Sequence, residues 1–237
     1  MHLPNGSQLF IGEASEPLSS FKITKIETNG NHHNQLKVKT VEVMISKLSA
    51  GDFTMFTSCA WGKLVNVVLR VVSLDSTDST NKTVIVEGFN AGDRHSFPTM
   101  VESSTGGNGA FVKYDRWIEI PCVQDLSQDG GEQQFYTYQC LSDDREQQLP
   151  TFKSAVNVTY TFAWDFENQI NELLREKDAS GDVVPMRMYI PRAKEMRMWS
   201  AVLSFNDIPQ TTMNEMETVS LSASIKGRFV SVKAEAN

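Results

Sequence analysis

The sequence has little of what secreted, membrane and metal-binding proteins depend on. Its three cysteines, Cys59, Cys122 and Cys140, are odd in number and lack CxxC spacing, so they predict neither a disulfide framework nor a zinc ribbon. We interpret them as buried free thiols. No charged segment followed by an apolar one opens the chain, and apolar runs such as Val65 to Leu69 are too short to span a bilayer. We therefore expect a cytosolic product without a membrane anchor.

Catalytic and metal-binding patterns are also missing. The four histidines show no metal-ligand or triad spacing, and the adjacent His32 and His33 lie in an Asn/Gly turn. No GxSxG, HExxH or GxxxxGK[ST] motif occurs, and the glycines between Gly106 and Gly109 neither follow a clear strand nor open a helix. We predict that the protein is not an enzyme and that it binds no cofactor or metal.

Positive charge is scarce, since 22 Lys and Arg face 29 Asp and Glu and the net charge is −7. Affinity for nucleic acid comes mostly from neutralising phosphates with Lys and Arg, so this balance argues against a surface that grips DNA. Any contact with DNA is expected to be non-adhesive. At 237 residues, 40% of them hydrophobic, the chain can form one large packed domain or two small ones.

The clearest pattern lies between residues 155 and 190. Large apolar side chains occupy every second position of a predicted strand: Val156, Val158, Tyr160, Phe162 and Trp164. Asp165 follows as a predicted helix N-cap, and Gly181 marks the helix end. Between Asp165 and Lys177 one apolar stripe predicts an amphipathic helix that packs against the sheet: Phe166, Ile170, Leu173 and Leu174. Alternation resumes from Met186 to Ile190 as a second strand.

Further strands are predicted in both halves of the chain. In the first half they are Gln8 to Ile11, Phe21 to Ile26, Gln35 to Ile45, Leu64 to Val72 and Lys82 to Phe89. Asp52 predicts the cap of a short helix that carries Phe53, Phe56 and Ala60. The polar stretch from Asn90 to Gly109 is interpreted as a linker or a long mobile loop.

The second half has strands predicted at Trp117 to Val123, Gln134 to Leu141, Met198 to Phe205 and Thr218 to Lys226. The last of these alternates most regularly. Its inward side chains are Val219, Leu221, Ala223 and Ile225, and its outward ones are Thr218, Ser220, Ser222 and Ser224. The outward face is therefore wettable, uncharged and non-adhesive.

Residues from about 117 to 232 resemble the major tail tube protein of bacteriophages with long non-contractile tails. The resemblance rests on the run from Ser154 to Trp164, the helix with Leu173 and Leu174, and the strands that follow up to Ile225. It implies a mainly β fold, an antiparallel sandwich or barrel with a flanking helix. It also implies a structural virion protein whose subunits close into rings, and whose stacked rings conduct DNA through an acidic bore.

The first half of the chain is more than a minimal tube protein needs. We divide the chain into a β-rich domain at residues 1–110 and a tail-tube-like sandwich at 111–237. The order of predicted elements is the same in both halves, so the first half is either a degenerate copy or an extension with a long loop. A copy would let three chains form a pseudo-sixfold ring, whereas an extension would require six.

The resemblance also implies partners and surfaces. The partners are further copies of the chain, the tape measure, terminator and distal tail proteins, and DNA that passes without specific binding. We predict that the face with Ser220, Ser222 and Ser224 lines the bore. Two polar segments are predicted to join stacked rings through their charged residues: Asp93, Arg94, Asp143, Asp144, Arg145 and Glu146. The alternatives are a distal tail or baseplate hub protein of the same fold and a soluble β-sandwich carbohydrate-binding module.

Overall fold

The computed structural model describes residues 5–14, 20–30, 32–40, 47–75, 82–93, 95–142 and 144–234. The predicted mainly β fold is confirmed. In chain order the strands are β1 (Gln8–Glu13), β2 (Ser20–Thr28), β3 (Gln35–Thr40), β4 (Phe53–Cys59), β5 (Val68–Asp75), β6 (Lys82–Glu87), β7 (Gly109–Tyr114), β8 (Arg116–Ile120), β9 (Val123–Asp129), β10 (Gln133–Tyr138), β11 (Gln147–Lys153), β12 (Asn157–Ala163), β13 (Val183–Ile190), β14 (Glu195–Gln210), β15 (Thr218–Ile225) and β16 (Val230–Lys233). The α-helix α1 spans Ile170–Ser180, and 3₁₀ turns lie at Gly62–Leu64 and Pro191–Ala193.

The first half of the chain forms a closed antiparallel barrel in the order β2-β3-β6-β5-β4-β7, with β7 returning to pair with β2. Aromatic side chains from three strands fill its interior. Phe21 stacks on Phe111 with ring centroids 5.0 Å apart, and Phe56 lies 5.6 Å from Phe111. The barrel is therefore a packed core and not a channel.

The second half forms one antiparallel sheet in the order β8-β1-β13-β14-β15-β12-β9. Strand β16 pairs with the start of β14, beyond the point that β15 reaches. The sheet packs its apolar face, together with α1, into a single core that includes Tyr160, Phe162, Leu203 and Leu221. The alternation predicted for β12 and β15 is confirmed, because their apolar side chains are buried while their polar neighbours lie on the other face. In β14 the predicted inward side chains are buried too, but Ser200 between them is buried against the barrel.

Helix α1 begins later than predicted. The carboxylate of Asp165 accepts a hydrogen bond from the backbone N–H of Glu167 at 3.1 Å, and the Asn168 side chain accepts one from the N–H of Ile170 at 3.0 Å. These local turns compete with helix formation over the first five residues. Phe166 is consequently 84% exposed, so its assignment to the apolar stripe is wrong.

The remainder of the stripe is buried. Ile170, Leu173 and Leu174 belong to the core between α1 and the sheet, where α1 lies against β14. Gly181 ends the helix in the left-handed conformation at φ +66°, as its position predicted.

The predicted helix after Asp52 is wrong, because Phe53–Cys59 is strand β4. It pairs with β5 on one side and β7 on the other, and this pairing outweighs the weak helical spacing of its aromatic residues. Asp52 instead forms an ion pair with Lys113 at 2.9 Å and accepts the N–H of Ser49 at 2.7 Å. The shared order of elements that suggested a duplicated domain therefore does not exist.

Two strands do not follow the predicted domain boundary at residue 110. Strand β1 belongs to the sheet of the second half, and β7 closes the barrel of the first. The two units are also in contact: Trp117 meets Phe53 edge to face at 5.2 Å, and Met198 of β14 is buried in the barrel core. The division of the chain into domains at residues 1–110 and 111–237 stays a prediction.

The segment between β6 and β7 has no regular structure in its described residues, but it is not a free linker. Phe97 and Met100 are buried in the barrel core. Trp61 donates a hydrogen bond from Nε1 to the carbonyl oxygen of Pro98 at 3.0 Å and meets Phe97 edge to face. The segment is therefore a loop that closes one side of the barrel.

Replacing Leu173 by Asp should lower the free energy of unfolding of the monomer by about 2–5 kcal/mol, because a buried leucine is lost and an unpaired carboxylate takes its place. Phe166→Asp is the matched control, because its exposed site should change stability by less than about 0.5 kcal/mol. Urea unfolding of both variants measures the difference. Equal midpoints would show that α1 does not contribute to the core.

Candidate functional site

The most distinctive surface of the molecule is the outer face of β15 and β12, which we call the polar face. Pairing places Ser220 opposite Thr161, and Ser222 opposite Thr159. The hydroxyl oxygens of Thr159 and Ser222 are 3.3 Å apart, so they point the same way. Apart from Ala163 at the end of β12, every second residue of both strands is thus a small polar group.

The polar face continues onto the neighbouring strands. On one side, β9 places Asp125 opposite Thr161 and Asp129 opposite Asn157, both carboxylates being exposed. On the other side, β14 places Ser204 opposite Ser222, and Asn206 follows it two residues on. Strands β9, β12 and β15 contain no lysine or arginine. Four adjacent strands therefore present hydroxyls, amides and carboxylates.

The barrel occupies a different sector of the same outer side. Near β1, β8 and β13 this side carries Arg187, whose guanidinium carbon lies 4.5 to 4.9 Å from the ring centroids of Phe10, Phe53 and Trp117. Burial lowers the pKa of Arg187 to about 10. Arg187 thus packs between the barrel and the sheet in the sector that the barrel covers. The polar face lies outside this sector.

The predicted bore residues Ser220, Ser222 and Ser224 all lie on the polar face. Their position in a bore stays a prediction. The two acidic strand residues Asp125 and Asp129 were missed, because the alternation of β9 is weak and no strand was predicted there.

The predicted inter-ring residues lie on two separate elements. Asp93 belongs to the loop beside the barrel, where a hydrogen bond from the Ser96 side chain holds its pKa below the ordinary value. Asp144, Arg145 and Glu146 lie in the connection between β10 and β11. Arg94 and Asp143 are outside the described residues. Their role between rings stays a prediction.

Strands β10 and β11 form a two-stranded hairpin that pairs with no other strand in the described part of the chain. It carries exposed apolar side chains, none of which belongs to a buried core: Phe135, Tyr136, Leu149 and Phe152. Strand β11 was missed because Pro150 interrupts it, and proline normally argues against a strand interior. An isolated hairpin is marginally stable, so this one is suited to contact with another molecule.

The cysteines differ from their prediction. Cys122 and Cys140 are exposed, while Cys59 is half-buried and its burial raises the pKa of the thiol. Within the described ranges, no group of three or more His, Cys, Asp or Glu side chains could hold a metal ion. No helix in the same ranges is long and apolar enough to cross a membrane.

The closed barrel and the antiparallel sheet define the chain as a mainly β protein. A family model described as phage tail tube protein, TTP, matches residues 59–234, from the end of β4 through β16. The chain belongs to the phage tail tube protein family. None of the curated proteins compared with this chain matches it. The protein is accordingly a structural component of the phage virion.

Proposed function

We propose that copies of this chain close into rings, that the rings stack into the tail tube, and that DNA passes through its bore during ejection. The polar face carries this proposal. Strands β9, β12 and β15 contain no lysine or arginine to bind the phosphates, while Asp125 and Asp129 repel them. A wall with Lys or Arg would release counterions and retain the genome.

Strand β9 supports ring closure. It lies at one edge of the sheet, and all of its residues except Val123 are exposed. A free edge strand offers unpaired N–H and C=O groups to a strand of another chain. Pairing at this edge would extend the polar face from one copy to the next and produce a continuous inner wall.

The width of such a wall favours six copies. At four strands each, three copies supply twelve strands and six supply twenty-four. With strands ~4.8 Å apart and tilted by ~40°, these walls are roughly 24 and 48 Å across, and two layers of inward side chains take up about 10 Å. The bores that remain are roughly 14 and 38 Å wide. Duplex DNA has grooves about 8.5 and 7.5 Å deep, so it is too wide for the first bore and passes through the second.

The alternative role is that of a distal tail or hub protein built on the same fold. It would form isolated rings that do not stack. Electron microscopy of the purified protein separates these roles: we expect stacked rings with sixfold end views. Rings that never stack favour the distal role, and a protein that stays monomeric at all concentrations contradicts assembly of either kind.

Replacing Ser220, Ser222 and Ser224 by Lys should leave tubes intact, since the polar face is open to water. It should give the tubes DNA affinity that is strong at low salt and falls steeply as salt rises. The Ser→Thr triple variant is the control, because it keeps the hydroxyls. If the Lys tubes bind no more DNA than the Thr tubes and phage ejection is normal, the polar face does not line the bore.

We also propose that the β10–β11 connection contacts the neighbouring ring, as does the loop with Asp93. Trypsin cleavage after Arg145 should be rapid in unassembled protein and slowed at least about tenfold in tubes, because contact orders such segments. An Arg145→Gln variant identifies the band that arises from this site. The same cleavage rate before and after assembly would rule the contact out.

A further inference from the structure

The apolar face of the sheet is not fully covered. Helix α1 lies on β14 and β8, and the opposite end of this face is an open groove of about 470 Å³. The groove is lined mainly by apolar side chains in several strands or next to them, among them Leu126, Val156, Val158, Trp199, Ile225 and Phe229. Leu126 and Phe229 are 44% and 49% exposed, which is unusual for residues that adjoin a core.

A buried donor in this groove lacks an acceptor. Trp199 is only 3% exposed, and its Nε1 has no hydrogen-bond partner within the described part of the chain. Its ring stacks on Phe229 with centroids 5.9 Å apart. A buried N–H without an acceptor is unfavourable, so an oxygen brought into the groove would be favoured.

The groove also has a positive side chain. Arg197 is the charged residue that lines the groove, and its side chain is half-exposed. Glu195 accepts hydrogen bonds from Nε and Nη2 of Arg197 at 3.0 and 3.1 Å. A guanidinium has five N–H donors, so further donors can serve a second carboxylate. The groove therefore suits an aromatic or aliphatic side chain next to an acidic one.

The same chain carries a segment with these properties. Asp165, Phe166 and Glu167 are consecutive and exposed, and Phe166 contributes nothing to its own core. The segment follows the end of β12 at Ala163, whereas the groove lies near the start of β12, beside Val156 and Val158. Segment and groove are thus at opposite ends of one sheet.

We infer that the groove is the docking site for the Asp165–Glu167 segment of a second copy, with Phe166 inserted and the carboxylates directed at Arg197 and the indole N–H of Trp199. The inference rests on the proposed stacking of rings. Because the two surfaces differ and lie at opposite ends, the contact repeats head to tail and does not close on itself. Every copy in a ring would form this contact once, so many contacts act together and each of them can be weak in a stable stack.

Two variants at exposed positions test the contact. Phe166→Ala removes the inserted ring, with Phe166→Leu as its apolar control. Phe229→Glu places a carboxylate in the groove against the acidic segment, with Phe229→Leu as its control. We expect both disruptive variants to fold and form rings but to need at least about tenfold more protein to form tubes, while both controls form tubes normally.

Mixing the two kinds of ring gives the sharper result. A Phe166→Ala ring keeps its groove and a Phe229→Glu ring keeps its segment. An equal mixture should therefore produce stacks of two rings and nothing longer. Wild-type tube formation by both variants, or the absence of ring pairs in the mixture, would overturn the docking site while leaving the proposed tube intact. Wild-type protein that forms no rings would instead contradict the proposed function, and this inference with it.

Discussion

The alternation of side chains along β14 is the constraint on which the rest of the molecule depends. Met198 enters the core of the barrel, while its neighbour Trp199 enters the core of the sheet. The next residue, Ser200, donates a hydrogen bond to the carbonyl oxygen of Asn66. Gly227 lies so close to the same oxygen that a side chain at this position would collide with it. One strand thus serves two cores, and neither unit can shift without disturbing the other.

The same constraint explains why the polar face is open. The start of β14 is committed to the barrel, whereas its end extends past the barrel. Only this later part pairs with β15, which pairs in turn with β12 away from the barrel. There the outward positions have no packing partner, and they are small and polar as a wetted surface requires. The face is a consequence of strand length as much as of composition.

How much the sequence reveals depends on the range of the interactions involved. Strands β12 and β15 could be predicted because burial on one side imposes a period of two that is visible locally. The start of α1 could not, because hydrogen bonds to Asp165 and Asn168 compete with the helix over a few residues. Strand β4 was mistaken for a helix because its pairing partners, β5 and β7, lie elsewhere in the chain.

The polar face shows the same division. Its serines were evident from β15 alone, whereas the carboxylates of Asp125 and Asp129 join it only through the pairing of β9 with β12. Closure of the barrel likewise depends on β7 meeting β2, a contact between distant segments that no local pattern encodes. This closure has a consequence for assembly, because strands paired in a closed barrel have no free edges to offer a neighbour. The edge at β9 is left to the sheet, and so a wall built from this chain would draw its strands from the second half alone.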